Sequence, residues 1–395
     1  MDEDRKLGFA TRAIHGARTP PVEQETPSVP IYQTATFRFE DSEAYAETIG
    51  FRRPGYTYTR GYGNPTLLAF ETVMADLEGT GSAFSFASGM AAIHTVVTAL
   101  AKAGDRIVAS PELYGGAYSM FHKVLPRYGI DVTFVDPHDP DAVAEILPGA
   151  ALFYVETIAN PNVTVADLQA LGGVCRDAGG PGVVDNTFAS PALCTPARFG
   201  FDFVLHSATK YIGGHHDLTA GVVCCSEPDM ARLRETVIET GGTMAPLEAW
   251  LAIRGLATLE LRMERHSSNA HAVAAALQAH PKVEEVHYPG LPSHPQHEVA
   301  LRQLTGGFGG MLAFEVRGGV EAGKRFCDAL QLAWVATSLG GTTTLVGHAA
   351  STTHRQLDPE ARRAAGIGDG LVRVSVGLED PGDLLEDFER ALVKV

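Results

Sequence analysis

Cysteine is scarce in this chain and shows no metal-binding spacing. The five cysteines, Cys175, Cys194, Cys224, Cys225 and Cys327, are odd in number and contain no C-x-x-C. That argues against a closed disulfide framework and against a zinc ribbon. Reduced, buried thiols are expected instead, as in a cytoplasmic protein. Long apolar runs are also missing, and none reaches the roughly 18 residues that a membrane span needs. The charged start Met1-Asp2-Glu3-Asp4-Arg5-Lys6 has no apolar segment behind it, so no secretory leader is expected. Basic residues are in deficit, with Lys and Arg at 31 against Asp and Glu at 47, a net charge of −16. Such a balance argues against a nucleic-acid surface and for free solubility. There is no internal repeat and no low-complexity segment.

What the chain does have is length and alternation. Its 395 residues, 45% hydrophobic, suffice for two or three lobes with large cores. Residues 1–64 are rich in Pro, Thr, Tyr and Arg, and Pro20, Pro21, Pro27 and Pro30 forbid a long helix there. This reads as an extended arm packed on something else. From Pro65 to about residue 257, strand-length apolar runs at 83–86, 106–109, 132–135, 151–155, 182–184 and 203–205 alternate with amphipathic stretches such as 90–101 and 142–147. That pattern predicts an α/β domain with a mainly parallel sheet covered on both faces. Its chemistry is expected beyond the carboxyl ends of the strands. A polar helix over 259–278 leads to residues 258–395, where strands at 311–316 and 371–376 and helices at 320–330 and 383–393 predict a smaller α+β domain. Cys224 and Cys225, if borne on a strand, point to opposite faces.

Four constellations fall at strand ends. Ala87-Ser88-Gly89-Met90 leads directly into an apolar-periodic helix, and free amides at a helix start suit a phosphate. The plainer reading of Ser88 is a helix cap. Asp185 ends the run Gly182-Val183-Val184 and could face a cationic ring nitrogen or simply cap a helix. Glu156 and Asn160 follow another run, with Asn160-Pro161 as a turn signal. Lys210 follows Val204-Leu205-His206 with Ser207 and Thr209 before it and Gly213-Gly214 after it. A lysine must lose its proton to act as nucleophile or base, which burial or a nearby cation favours. Ser207 and Thr209 share a face if that segment is extended. A phosphate cradle, an acid for a ring nitrogen and a Schiff-base lysine together propose a pyridoxal-phosphate site. His215-His216-Asp217 lacks the spacing of a helical zinc pair, so no metal is expected.

These residues carry a resemblance. Tyr58-Thr59-Arg60-Gly61-Tyr62-Gly63-Asn64-Pro65-Thr66, Ser88-Gly89-Met90, Leu113-Tyr114-Gly115-Gly116, Glu156 with Ala159-Asn160-Pro161-Asn162, Val184-Asp185-Asn186-Thr187, His206 to Tyr211, and Arg373-Val374-Ser375-Val376-Gly377-Leu378-Glu379-Asp380 resemble the Cys/Met-metabolism pyridoxal-phosphate enzymes. That family includes cystathionine γ-synthase, cystathionine γ-lyase, methionine γ-lyase and the O-acylhomoserine sulfhydrylases, and the chain looks most like its methionine γ-lyase-like members. The resemblance implies a fold-type-I enzyme, with a seven-stranded-type sheet, assembled as a homotetramer of paired dimers with active sites shared between subunits. It implies that Lys210 holds the cofactor and moves protons, that Asp185 holds the ring nitrogen protonated, and that Tyr114 stacks on the ring and serves the leaving group. Ser88, Gly89, Met90, Ser207 and Thr209 would bind the phosphate, and Glu156, Asn160 and Thr187 would line the cofactor. Tyr58 and Arg60 would reach the phosphate of the neighbouring subunit. Arg373 would clamp the substrate carboxylate with Asn160 and Ser338, because its planar fork matches a carboxylate.

Three departures bear on the reaction. Where cystathionine-handling members usually carry an arginine and a glutamate, this chain has Ser119 and Thr337; where methionine γ-lyases typically carry a cysteine, it has Gly116. A pocket lacking those charges holds a distal zwitterion poorly. The implied activity is γ-elimination on a small γ-substituted amino acid such as methionine or homocysteine, a carbon–sulfur lyase reaction. The alternatives are γ-replacement by a transferase and elimination of an unusual leaving group such as a halide. The run Gly213 to Gly221 looks more like the γ-lyases, whereas Ala350-Ser351-Thr352-Thr353-His354 is similar to lyases and sulfhydrylases alike.

Overall fold

Asn64-Pro65 opens the first long helix for reasons visible in the chain. In the computed structural model, which describes residues 7–17, 26–352, 360 and 366–395, the Asn64 side chain accepts from the Thr66 amide at 2.9 Å. Pro65 takes the first helical position, where its missing N–H costs nothing. The helix Pro65–Glu78 ends at Gly79 with φ +73°, a left-handed stop that glycine adopts without strain. Pro20, Pro21, Thr353 and His354 lie outside the described residues.

Seven strands form the larger sheet. In chain order they are β1 (Ser82–Phe86), β2 (Arg106–Ala109), β3 (Asp131–Phe134), β4 (Phe153–Glu156), β5 (Gly182–Asp185), β6 (Phe203–His206) and β7 (Gly221–Cys225). Their spatial order is β1-β7-β6-β5-β4-β2-β3. All pairings are parallel except those of β7, which runs antiparallel to both β1 and β6. The ends of β1, β2, β4, β5 and β6 therefore open on one edge. One face is covered by the helices Pro65–Glu78, Leu168–Ala178 and Pro246–Leu256, the other by Gly89–Leu100 and Glu227–Thr240. Cys224 enters the first core and Cys225 the second, as alternation along a strand requires.

The helix Leu259–Ala279 leads into a five-stranded sheet of β8 (Val283–His287), β9 (Met311–Val316), β10 (Trp334–Val335), β11 (Leu345–His348) and β12 (Leu371–Ser375), ordered β10-β11-β12-β9-β8. Helices Gly319–Ala329 and Pro381–Val393 pack behind it, with Phe314, Phe326 and Phe388 edge to face. Along β12, Val372 and Val374 enter that core, while Leu371 packs with the larger domain. Arg373 and Ser375 share Leu371's side, which points Arg373 at the strand ends of the larger sheet.

The stretch before Asn64 is less extended than its composition predicts. It contains the short helices Phe9–His15 and Ser42–Ile49. The second starts where Asp41 accepts from the Ala44 amide at 2.8 Å, a cap that the proline count obscures. Elsewhere the arm is tied down by hydrogen bonds from the Tyr32 amide to Thr66 and from Asn64 to the Tyr32 carbonyl. Among the described residues, no helix is long and apolar enough to cross a membrane.

Candidate active site

The helix Gly89–Leu100 begins against the turn that follows β6. A Cβ placed on Gly89 would stand 2.8 Å from Ser207 Cβ, so only glycine lets the helix start approach that turn. Its first amides, including those of Gly89 and Met90, have no partner inside the helix and carry the positive end of its dipole. Ser88 Oγ accepts from the Ala91 amide at 3.1 Å, so its hydroxyl caps the helix. β6 ends at His206, and residues 208–213 form a turn rather than an extended segment. The shared face expected of Ser207 and Thr209 is therefore absent. Thr209 bridges instead to Ala220, whose amide it accepts at 2.9 Å.

Two carboxylates stand side by side at the ends of β4 and β5. Glu156 and Asp185 are direct register partners. Asp185 accepts from the amide and hydroxyl of Thr187 and, at 3.4 Å, from the hydroxyl of Tyr154. Glu156 accepts from the Tyr114 amide. Burial pushes both carboxyls up, and Asp185 raises Glu156 further. Thr187 also accepts from the Ser207 amide at 2.8 Å, which ties the β5 and β6 ends together. On the reverse face of the sheet, Glu78 joins His206 at 2.6 Å and Asn186 at 3.1 Å, and Asn186 in turn accepts from Thr157.

Lys210, Ser338 and Arg373 form one chain of contacts. Lys210 Nζ donates to Ser338 Oγ at 2.7 Å. Arg373 donates to the Ser338 carbonyl at 3.0 Å and to Asn160 Oδ1 at 3.2 Å. Burial first, and the Arg373 charge second, pull the Lys210 amine down to about 8. Ser338 has φ +78°, a strained value for any residue but glycine.

Tyr114 is half exposed at the start of the short helix Gly115–Ser119. Its ring lies over Gly116, where a Cβ would meet Tyr114 Cε1 at 2.5 Å and Met90 Sδ at 3.1 Å. The ring thus stands beside the helix start that bears Gly89. Ser119 closes the same short helix, and Thr337 is exposed next to Ser338. Within this chain Arg60 is bonded to the Ile238 carbonyl and lies over the exposed Tyr58 ring.

Some participants escape a reading of the sequence. Tyr154, which donates to Asp185, is one, although its period-two spacing from Glu156 on one strand was a signal that could have found it. The Lys210–Ser338 bond spans 128 positions and left no local signal. His215 bonds the Gly213 carbonyl at 2.8 Å, and His216 packs its ring against Gly341. Among the described residues no group of three or more His, Cys, Asp or Glu could hold a metal. Two surface clefts, one beside Phe51 and Ile238 and one beside Phe9 and Arg198, contain none of Tyr114, Glu156, Asp185, Lys210, Ser338 and Arg373.

The residues present fit pyridoxal phosphate. A helix start that glycine alone can complete suits its phosphate. The Glu156–Asp185 pair is short of a cation, which a protonated ring nitrogen supplies. A lysine amine near neutrality suits its aldehyde. The chain matches the family of Cys/Met metabolism PLP-dependent enzymes over residues 10–393. It is 44% identical to an L-methionine gamma-lyase of Porphyromonas gingivalis, over 98% of this chain and 97% of that one. It is 42% identical to a cystathionine gamma-synthase of Mycobacterium tuberculosis, over 99% of this chain and all of that one (100%). A crystal structure of cystathionine gamma-lyase from Lactobacillus plantarum complexed with L-serine superposes with a TM-score of 0.92, at 37% identity and with 98% and 99% of the two chains covered.

Proposed function

Because the chain belongs to the Cys/Met metabolism PLP-dependent enzymes, we propose that it catalyses γ-elimination on a small γ-substituted L-amino acid, methionine or homocysteine first among them. It is a pyridoxal-phosphate-dependent carbon–sulfur lyase of fold type I. With methionine and one water, the products are methanethiol, ammonia and a 2-oxo acid.

The observation that carries this reading is the shared contact of Lys210 and Arg373 on Ser338. The guanidinium binds the substrate carboxylate, and Asn160 fixes its angle. The Lys210 amine then stands where it can remove the α-proton and move a β-proton. Pyridoxal phosphate, when bound, supplies an electron sink for the charge left on carbon. Asp185 holds the proton on its ring nitrogen, kept in place by Thr187 and Tyr154. Tyr114 delivers a proton to the departing sulfur. Gly89, Met90, Ser207 and Thr209 take the phosphate, with Ser88 shaping the helix start, and Glu156 holds the Tyr114 segment by its amide. Gly116, Ser119 and Thr337 leave the distal pocket small and without charge, which favours methionine over cystathionine.

Division of labour follows: residues 1–64 reach a neighbouring subunit, 65–257 hold the cofactor, and 258–395 close over the substrate. Tyr58 and Arg60 complete the neighbour's phosphate site in a homotetramer, a reading that the exposed Tyr58 ring beside Arg60 supports. The five unpaired, buried cysteines support a cytoplasmic setting. Likeness to the mycobacterial cystathionine gamma-synthase favours γ-replacement as a second reading.

The test is a substrate panel of methionine, homocysteine and O-acylhomoserine, assayed for 2-oxo acid with and without added thiol. Release of 2-oxo acid from methionine is expected. No release from any of the three, with thiol joined to O-acylhomoserine, overturns the proposal in favour of replacement.

A further inference from the structure

The turn that carries Lys210 is held from outside by a buried arginine. Arg262 lies in the first turn of the helix Leu259–Ala279 and is 5% exposed. Its guanidinium donates to the carbonyls of Tyr211 at 2.7 Å, Gly255 at 2.7 Å and Ile212 at 3.4 Å, and its Nε to Thr258 at 3.1 Å. No carboxylate among the described residues forms an ion pair with it. A buried cation bonded to three carbonyls and one hydroxyl, with no countercharge, is costly and calls for a purpose.

Glycines make room for this grip. Gly214, at φ +73°, would put a Cβ 2.2 Å from Arg262 Nη1. A Cβ on Gly255 would stand 2.3 Å from the Ile212 carbonyl oxygen. From the other side, a Cβ on Gly340 would lie 2.7 Å from the Tyr211 amide and 3.0 Å from the Lys210 carbonyl carbon. The turn bonds the carbonyls of Ala208 and Lys210 internally. Those of Tyr211 and Ile212, directly after the lysine, are left for Arg262.

We infer that Arg262 is a positioning residue for Lys210: it fixes the main chain that aims the amine at the substrate's α-carbon. Gly214 thereby gains a role as the opening through which the guanidinium enters. The inference rests on Lys210 being the cofactor lysine. Charged and titratable groups around that amine are Arg373 from β12 and His216 from its own turn, with the Ser338 hydroxyl bonded to it. Slack in the turn lets water reach the amine and raises its basicity.

Four variants test this: Arg262→Met, Arg262→Lys, Gly214→Ala and, as control, Lys210→Ala. The readouts are kcat and KM with methionine, and the pH midpoint for pyridoxal phosphate uptake by apoenzyme, followed by visible absorbance. For Arg262→Met, kcat falls about 100-fold, KM stays within about threefold, and the midpoint moves up. Gly214→Ala acts in the same direction, and Arg262→Lys recovers part of the loss. Wild-type kcat and midpoint in folded Arg262→Met overturn the inference. If that variant does not fold, wild-type values in both Gly214→Ala and Arg262→Lys overturn it. Identical absorbance in wild type and Lys210→Ala overturns instead the assignment of Lys210.

Discussion

Glu156 and Asp185 face each other in direct register at the ends of neighbouring parallel strands, where burial raises the proton affinity of both and Asp185 raises that of Glu156 further. Their folded pKa values lie above the ordinary carboxylate range, so the folded apoprotein holds more protons than the unfolded chain as pH rises through that interval. Stability of the apoprotein therefore falls as pH climbs from the ordinary carboxylate values up through the raised ones. Bound pyridoxal phosphate brings a cation and offsets the repulsion. Its stabilising shift in Tm grows with pH across the same interval, and Glu156→Gln flattens the trend. Calorimetry of apoprotein and holoprotein at several pH values checks this, and a pH-independent shift contradicts it.

The Lys210 amine sits at about 8 through burial and the Arg373 charge. Only the free base attacks an aldehyde, so uptake of pyridoxal phosphate by apoenzyme accelerates with pH and levels off above about 8. Arg373→Met raises that midpoint. It stays below the usual lysine value, because burial is the larger cause. Stopped-flow absorbance reads both numbers.

Ser338 combines a strained backbone with a useful hydroxyl. Replacement by glycine relieves about 1 kcal/mol of left-handed strain and removes the hydroxyl. Ser338→Gly is expected to keep its Tm within a few degrees while kcat falls about 10-fold, in line with loss of a bond to a charged group. Ser338→Ala loses the bond and keeps the strain, so both quantities fall. Equal Tm in the two variants contradicts the strain argument.

Charge in the distal pocket decides what fits. Ser119→Arg with Thr337→Glu supplies partners for the far amino-acid head of cystathionine. The double variant raises kcat/KM for cystathionine relative to methionine by about 10-fold, comparable with one charged hydrogen bond. An unchanged ratio in competition assays removes these two positions from the specificity argument.

The larger sheet was legible because its strands are apolar runs bounded by helices. β7 was less so, since its residues Gly221 to Cys225 follow a long turn and reverse direction. β8 and β10 were missed because they are edge strands with residues facing solvent, Trp334 and Val335 among them, and β11 because it is only four residues long although buried. Within the site, residues fixed by local pattern stood out, including Asp185 at a strand end and Gly89 at a helix start. Contacts made across the fold did not. Arg262 reads as one more arginine on a polar helix until the turn it grips is folded against it.

The five cysteines gain a chemical sense from the reaction. An enzyme that releases a thiol lives beside a reagent that attacks disulfides and, once oxidised to a disulfide, is itself attacked by thiolates. Cys175, Cys225 and Cys327 are each pushed up to about 12 by burial, and burial drives Cys194 and Cys224 higher still. None offers a thiolate near neutral pH and all lie in the core. The protein is thereby closed to mixed disulfides with its own product.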